Sequence, residues 1–127
     1  MTKEETDRLC DEIRGCAFGL HRFLRHGHLE KIYENGLANR LRKRSLYVIQ
    51  QHPVPVYDED GTRLGNLIAD LMVADHLIIE LKAAEAVTDA HISQLLGYLR
   101  ASRFRYGLLI NFGAPKMYIK RFVLDPA

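Results

Sequence analysis

A chain of 127 residues with 47% hydrophobic and 27% charged positions has the make-up of one globular domain, 1–127, long enough to bury a core without disulfides or a structural metal. Its 18 Lys and Arg against 16 Asp and Glu give a net charge of +2, which excludes a histone-like polybasic binder but leaves room for a local basic face. No apolar run approaches the roughly 18 residues a membrane span needs, and no basic stretch followed by an apolar one marks a secretory signal. The composition therefore points to a cytoplasmic protein with no membrane partner.

From Glu4 to Arg25 the larger apolar side chains fall at Leu9, Ile13, Cys16, Ala17, Leu20, Phe23 and Leu24, the three-and-four spacing of one helical face. Acids gather near its start, as the helix dipole favours. Cys10 and Cys16 would stand about 9 Å apart along that helix, beyond disulfide reach, so they read as small core or boundary residues in a reducing compartment. Gly27 interrupts the pattern. A second helix then runs through Leu29, Ile32, Tyr33, Leu37 and Leu41 and closes on the basic residues Arg40, Arg42, Lys43 and Arg44.

Leu46 to Tyr57 is rich in valine and tyrosine but carries Pro53 and Pro55, the marks of an edge or bulged strand, and Asp58-Glu59-Asp60-Gly61 is a turn. Arg63 to Val73 and Leu77 to Leu81 form the next two strands around the tight connection Ala74-Asp75-His76. Thr88 or Asp89 caps a helix that passes through Ile92, Leu95, Leu96 and Leu99 to Ser102. Tyr106 to Phe112 and Met117 to Leu124 supply two more strands, separated by Gly113-Ala114-Pro115. The order ααβββαββ predicts an α/β (α+β) fold, a mixed sheet of about five strands flanked by helices, with a parallel crossover from the third strand to the fourth.

Alternation along the third strand puts Glu80 and Lys82 on one face and Ile79 and Leu81 on the other. If Val73 pairs with Leu77 across the tight connection, Asp70 comes directly opposite Glu80. Two like charges in that position need solvent or a cation between them, and Mg²⁺ or Mn²⁺ takes one or two carboxylates with waters and phosphate oxygens. Lys82 beside them is suited to position or deprotonate an attacking water. A Glu-x-Lys pair on a strand is most often a solvated face, but both acids here interrupt apolar runs, Leu67-Ile68-Ala69 and Leu77-Ile78-Ile79, and acids are seldom buried unpaired. Gln94 and Tyr98, four apart on the next helix, share a face from which an amide and a phenol can orient a phosphate or a water. Glu30, near the start of the second helix, suits the dipole there. His21, His26 and His28 lack the helical spacing of a zinc site and read as surface histidines.

Gly27-His28-Leu29-Glu30-Lys31-Ile32-Tyr33 resembles the defining motif of the GxxExxY protein family, which is assigned to the PD-(D/E)XK nuclease superfamily. Leu64-Gly65 through Ala69-Asp70, Ile79-Glu80-Leu81-Lys82-Ala83, Gln94-Leu95-Leu96-Gly97-Tyr98-Leu99 and Gly107-Leu108-Leu109-Ile110-Asn111-Phe112-Gly113 resemble that family in the same order. The resemblance implies a restriction-endonuclease-like core with a metal site on the central hairpin. Asp70, Glu80, the Leu81 carbonyl and Glu30 would be the metal ligands, Lys82 the catalytic lysine, and Gln94 with Tyr98 a Gln-x-x-x-Tyr feature of exonuclease-like branches. Ala69 stands where the superfamily's pattern has proline.

The function expected from these residues is Mg²⁺- or Mn²⁺-dependent hydrolysis of phosphodiester bonds in nucleic acid, DNA before RNA. Arg40, Arg42, Lys43 and Arg44 are the candidate contacts to the phosphate backbone. The alternative is a non-catalytic nucleic-acid-binding or assembly module that keeps the fold. A core this small has little room for target selection, which points to a homodimer or a partner protein.

Overall fold

A computed structural model describes residues 1–125. The helices are α1 (Lys3–Leu24), α2 (Glu30–Lys43) and α3 (Asp89–Ser102), and the strands β1 (Val48–Tyr57), β2 (Arg63–Val73), β3 (Leu77–Lys82), β4 (Tyr106–Asn111) and β5 (Tyr118–Val123). The five strands form one sheet in the order β1-β2-β3-β4-β5, with β3 and β4 parallel and the other neighbours antiparallel. Element order, meander and crossover all follow the sequence pattern.

Local chemistry explains the helix ends. Thr2 caps α1 in a reciprocal pair with Glu5, and Thr88 caps α3 in the same way with His91, which closes the choice between Thr88 and Asp89. The buried stripe of α1, including Leu9, Ile13, Cys16, Ala17 and Leu20, packs with Tyr33, Leu37 and Leu41 of α2 onto one sheet face made by Leu71, Val73, Leu77, Ile79, Leu81, Leu108 and Ile110. On the opposite face Leu95, Tyr98 and Leu99 of α3 cover Ile78, Leu109, Ala69 and Val54. Cys10 and Cys16 are buried and unpaired, as expected of small core residues. His21 departs from expectation: its ring is buried and bonds the Ala114 carbonyl at 2.9 Å, because it lies on the inner stripe of α1, one residue past Leu20.

Two irregularities shape the centre of the sheet. Val48 and Val54 both occupy even positions of β1, yet they enter opposite cores. The alternation resets at Gln51, whose φ of 54° is left-handed, and Gln51 and Asp70 are skipped between the pairs Gln50↔Leu71 and His52↔Ala69. The second irregularity lies on the other side of β2. Its pairing with β3 comprises Val73↔Leu77, Met72↔Ile78 and Leu71↔Ile79, and stops there. From Ala69 back toward its start β2 pairs with β1 alone, so β2 and β3 separate at the point where their acidic residues stand.

Candidate active site

Strand separation leaves backbone groups without ladder partners, and two side chains replace them. The Asp70 amide donates to Glu80 Oε1 at 3.1 Å, and the Leu81 amide donates to Asp70 Oδ2 at 2.8 Å. The expected juxtaposition of Asp70 and Glu80 is therefore present, as a side-chain bridge rather than a ladder pair. On an extended strand the N–H and C=O of one residue point to the same edge, so the Leu81 carbonyl lies on the edge where Asp70 sits.

Glu80 retains only 2% of its exposure, so it is no solvated face. Burial, and then the neighbouring Asp70 charge, push the Glu80 carboxyl up to about 9. Burial likewise raises Asp70, with the Leu81 amide pulling the other way. Among the described residues no Lys, Arg or His forms an ion pair with either acid. Two facing carboxylates and a carbonyl are hard oxygen donors short of positive charge, which fits a divalent cation of the Mg²⁺ type. The donor set stops at those three groups: among the described residues no three His, Cys, Asp or Glu side chains are grouped to hold a metal.

Lys82 projects toward α3, where its Nζ donates to Gln94 Oε1 at 2.7 Å; Gln94 Nε2 in turn donates to Tyr98 Oη at 3.3 Å. The helical spacing of Gln94 and Tyr98 thus becomes a relay that holds the lysine. Burial raises the Tyr98 phenol, reinforced by the Glu80 and Asp70 charges. Glu30 is exposed at the first position of α2. Partial burial of its carboxyl and the Asp70 charge raise it and Lys82 lowers it, so it stands within electrostatic reach of both without joining the Asp70–Glu80 pair. The basic run stands at the other end of α2 from Glu30. Thirteen residues at about 1.5 Å each set Lys43 about 20 Å from Glu30 along the axis. Arg42 is bound to Gln50 Oε1 and the Val48 carbonyl, and Arg44 lies 3.8 Å from Glu12.

Several supporting residues carry no signal in periodicity. Glu34, 3% exposed, accepts from Lys31 Nζ, Gln50 Nε2 and Gln51 Nε2 at 2.9, 2.7 and 2.6 Å. It thereby ties α2 to the reset in β1 that lies beside Asp70. Asn111 is buried and clamps both the amide and the carbonyl of Ala84, at 3.0 and 2.9 Å, just past Lys82. The Phe112 amide donates to the Lys82 carbonyl at 2.9 Å, and a Cβ on Gly113 would overlap the backbone of Ala83 and Ala84. Asn-Phe-Gly thus holds the chain that leaves Lys82. The Phe112 ring stacks on Tyr33 at 4.7 Å, and the Tyr33 hydroxyl donates to the Arg25 carbonyl while accepting from the His28 amide. With Gly27 at φ 113°, that hydroxyl gives Gly27-x-x-Glu30-x-x-Tyr33 a physical sense: the tyrosine staples the glycine turn that presents Glu30.

A family model described as the PD-(D/E)XK nuclease superfamily matches residues 7–122. The chain belongs to that superfamily. No curated protein and no solved structure matches the chain. Its five-stranded mixed sheet with flanking helices is the restriction-endonuclease-like fold, and membership makes this a nuclease-like domain of a superfamily that uses divalent metals. In this PD-(D/E)XK domain the buried Ala69 pairs with His52 at the place of the pattern's proline, and the strands still separate at the next residue. No helix of the described residues is long and apolar enough to cross a membrane.

Proposed function

We propose that this protein is a Mg²⁺- or Mn²⁺-dependent nuclease that hydrolyses phosphodiester bonds in DNA. The observation that carries the reading is the opened end of the β2–β3 hairpin. There a buried pair of carboxylates replaces backbone partners, and a lysine two residues on is held at 2.7 Å by Gln94. Asp70, Glu80 and the Leu81 carbonyl would hold the cation, which when bound supplies Lewis-acid polarisation of the scissile phosphate and acidification of a water.

The chain's own residues account for the rest. Proton loss from the Asp70–Glu80 pair readies it for a cation, because the energy that holds the proton on Glu80 is the cost of burying charge without a counter-ion. Lys82 donates to the attacking water and to the phosphoryl oxygens as they gain charge, and the Gln94–Tyr98 relay limits the geometry in which it does so. Glu30 adds negative charge from α2, and Arg40 and Lys43 add a remote contact to the phosphate backbone. A polymer is the substrate class suited to a site and a basic cluster about 20 Å apart along one helix.

The test is cleavage of end-labelled single-stranded, duplex and branched DNA by purified protein with Mg²⁺ or Mn²⁺, against EDTA. Metal-dependent cleavage lost in Lys82→Ala and Asp70→Ala supports the reading. No cleavage of any substrate, or cleavage indifferent to Lys82→Ala, overturns it.

A further inference from the structure

We propose that the elbow between α1 and α2, residues 22–31, is the surface that grips a single-stranded stretch of nucleic acid next to the site. This deepens the nuclease reading above by naming where its substrate lies. Four observations carry it.

The elbow is at the right end of the molecule. Lys82 pairs with Asn111 at the ends of β3 and β4, the Phe112 amide holds the Lys82 carbonyl, and the Phe112 ring stacks on Tyr33, whose hydroxyl bonds the elbow at Arg25 and His28. Glu30, whose carboxyl feels Asp70 and Lys82, follows at once.

Up to Leu29 its charge has one sign. Between Glu12 and Glu30 there is no Asp or Glu, and Arg22 and Arg25 are exposed with no acidic partner among the described residues. Lys31 continues the surface, its side chain 57% exposed while it pairs with Glu34. Such a surface complements a polyanion.

It also exposes apolar side chains that nothing in the fold covers. Phe23 and Leu29 are 78% and 77% exposed, and Ile32 adds to them from α2. A duplex hides its base faces, whereas a single strand offers them, so a surface that mixes cations with an uncovered phenylalanine and leucine matches unpaired bases. Finally, the elbow is pre-shaped. Left-handed φ values of 62° at Arg25 and 113° at Gly27, locked by the buried Tyr33, fix the backbone that carries these side chains, so binding does not have to order the turn itself.

The experiment is fluorescence anisotropy in EDTA, with a fluorescein-labelled single-stranded DNA and the duplex of the same sequence, across a salt series. We expect Arg22→Ala with Arg25→Ala to weaken single-strand binding about tenfold and to lower the salt slope by about 1.4, two phosphate contacts at about 0.7 each. Phe23→Ser with Leu29→Ser is expected to narrow the preference for single strand over duplex several-fold. Arg8→Ala with Lys120→Ala removes the same charge elsewhere and is expected to stay within twofold of wild type. Circular dichroism of each variant verifies folding.

An elbow variant that binds like this control overturns the proposal, as does wild type binding duplex as tightly as single strand. A wild-type dimer that Phe23→Ser with Leu29→Ser dissociates, with DNA affinity unchanged, overturns it in favour of self-association. Elbow-dependent binding without Mg²⁺-dependent cleavage leaves this surface standing and removes the nuclease reading. Cleavage indifferent to the elbow does the reverse.

Discussion

The β2–β3 hairpin has two halves built on opposite principles. In the half near the turn, Leu71, Met72 and Val73 pair with Ile79, Ile78 and Leu77, every one of them essentially buried. In the other half the ladder stops, Asp70 and Glu80 carboxyl groups take over backbone hydrogen bonds, and an ionisable group is buried that the apolar half would never admit. One half maximises stability; the other gives some up to keep two acids together. The turn contributes too, since Ala74 and Asp75 adopt left-handed φ values of 57° and 51°, which holds the tight register that brings Asp70 level with Glu80.

The largest effect expected from this contrast is on chemistry. Lys82→Ala should lower single-turnover cleavage by about 10²–10⁴ while leaving the thermal midpoint nearly unchanged, because Lys82 is held only by an exposed amide. A parallel loss of stability would show that the open half is structural after all. Next in size, Ile79→Ala in the paired half should cost about 2–4 kcal/mol in chemical denaturation, from lost transfer energy plus a cavity. Glu80→Gln should instead raise the stability of the metal-free protein while it abolishes Mn²⁺ binding by calorimetry. If both variants destabilise alike, the two halves do not differ in kind.

A third test uses pH. Glu80 titrates near 4.5 in an unfolded chain and at about 9 in the folded one, so the folded state binds the extra proton. Its contribution to stability is full below about 4.5 and is lost as pH rises toward 9, at no more than about 1.4 kcal/mol per pH unit, and Asp70 acts in the same direction. Melting in EDTA should therefore show a decline over that window, which excess Mg²⁺ offsets by taking the proton's place and which Glu80→Gln flattens. A wild-type protein whose metal-free melting temperature is level from pH 5 to 9 would remove the buried-charge account. The smallest effect is expected at the far end of α2. Arg40→Ala with Lys43→Ala should weaken DNA binding only a few-fold, with equal losses across sequences. A tenfold loss there would make the far end of α2 a principal contact with the substrate rather than a remote one.

Particular residues explain why part of the site was readable and part was not. Asp70 and Glu80 stood out because each breaks an apolar run, and the three-residue connection put them in register. Gln94 and Tyr98 were visible through helical spacing, though as a pair that orients phosphate; that they hold Lys82 depends on how α3 crosses the sheet. Glu34 and Gln51 are silent, since each is an ordinary polar residue in its own segment, and Asn111 is marked only by the Gly107–Gly113 resemblance, with no role attached. Glu34 accepts from residues 16 and 17 positions away and Asn111 bonds Ala84 across 27, distances over which local pattern carries no information. His21 is ambiguous in the sequence for a related reason: one polar residue at the end of a helix stripe has no settled side until the Ala114 carbonyl arrives beside it.

By itself, then, the sequence determined the element order, the sheet's meander and crossover, and the acid-acid-lysine set, because hydrophobic periodicity and turn chemistry act within a few residues. Only the tertiary structure decided that the strands part at Asp70, that Glu34 ties α2 to the reset in β1, and that Phe112 and Tyr33 link the elbow to the end of β3. Those depend on how helices and strands far apart in the chain stack to exclude water, and no single segment carries that information.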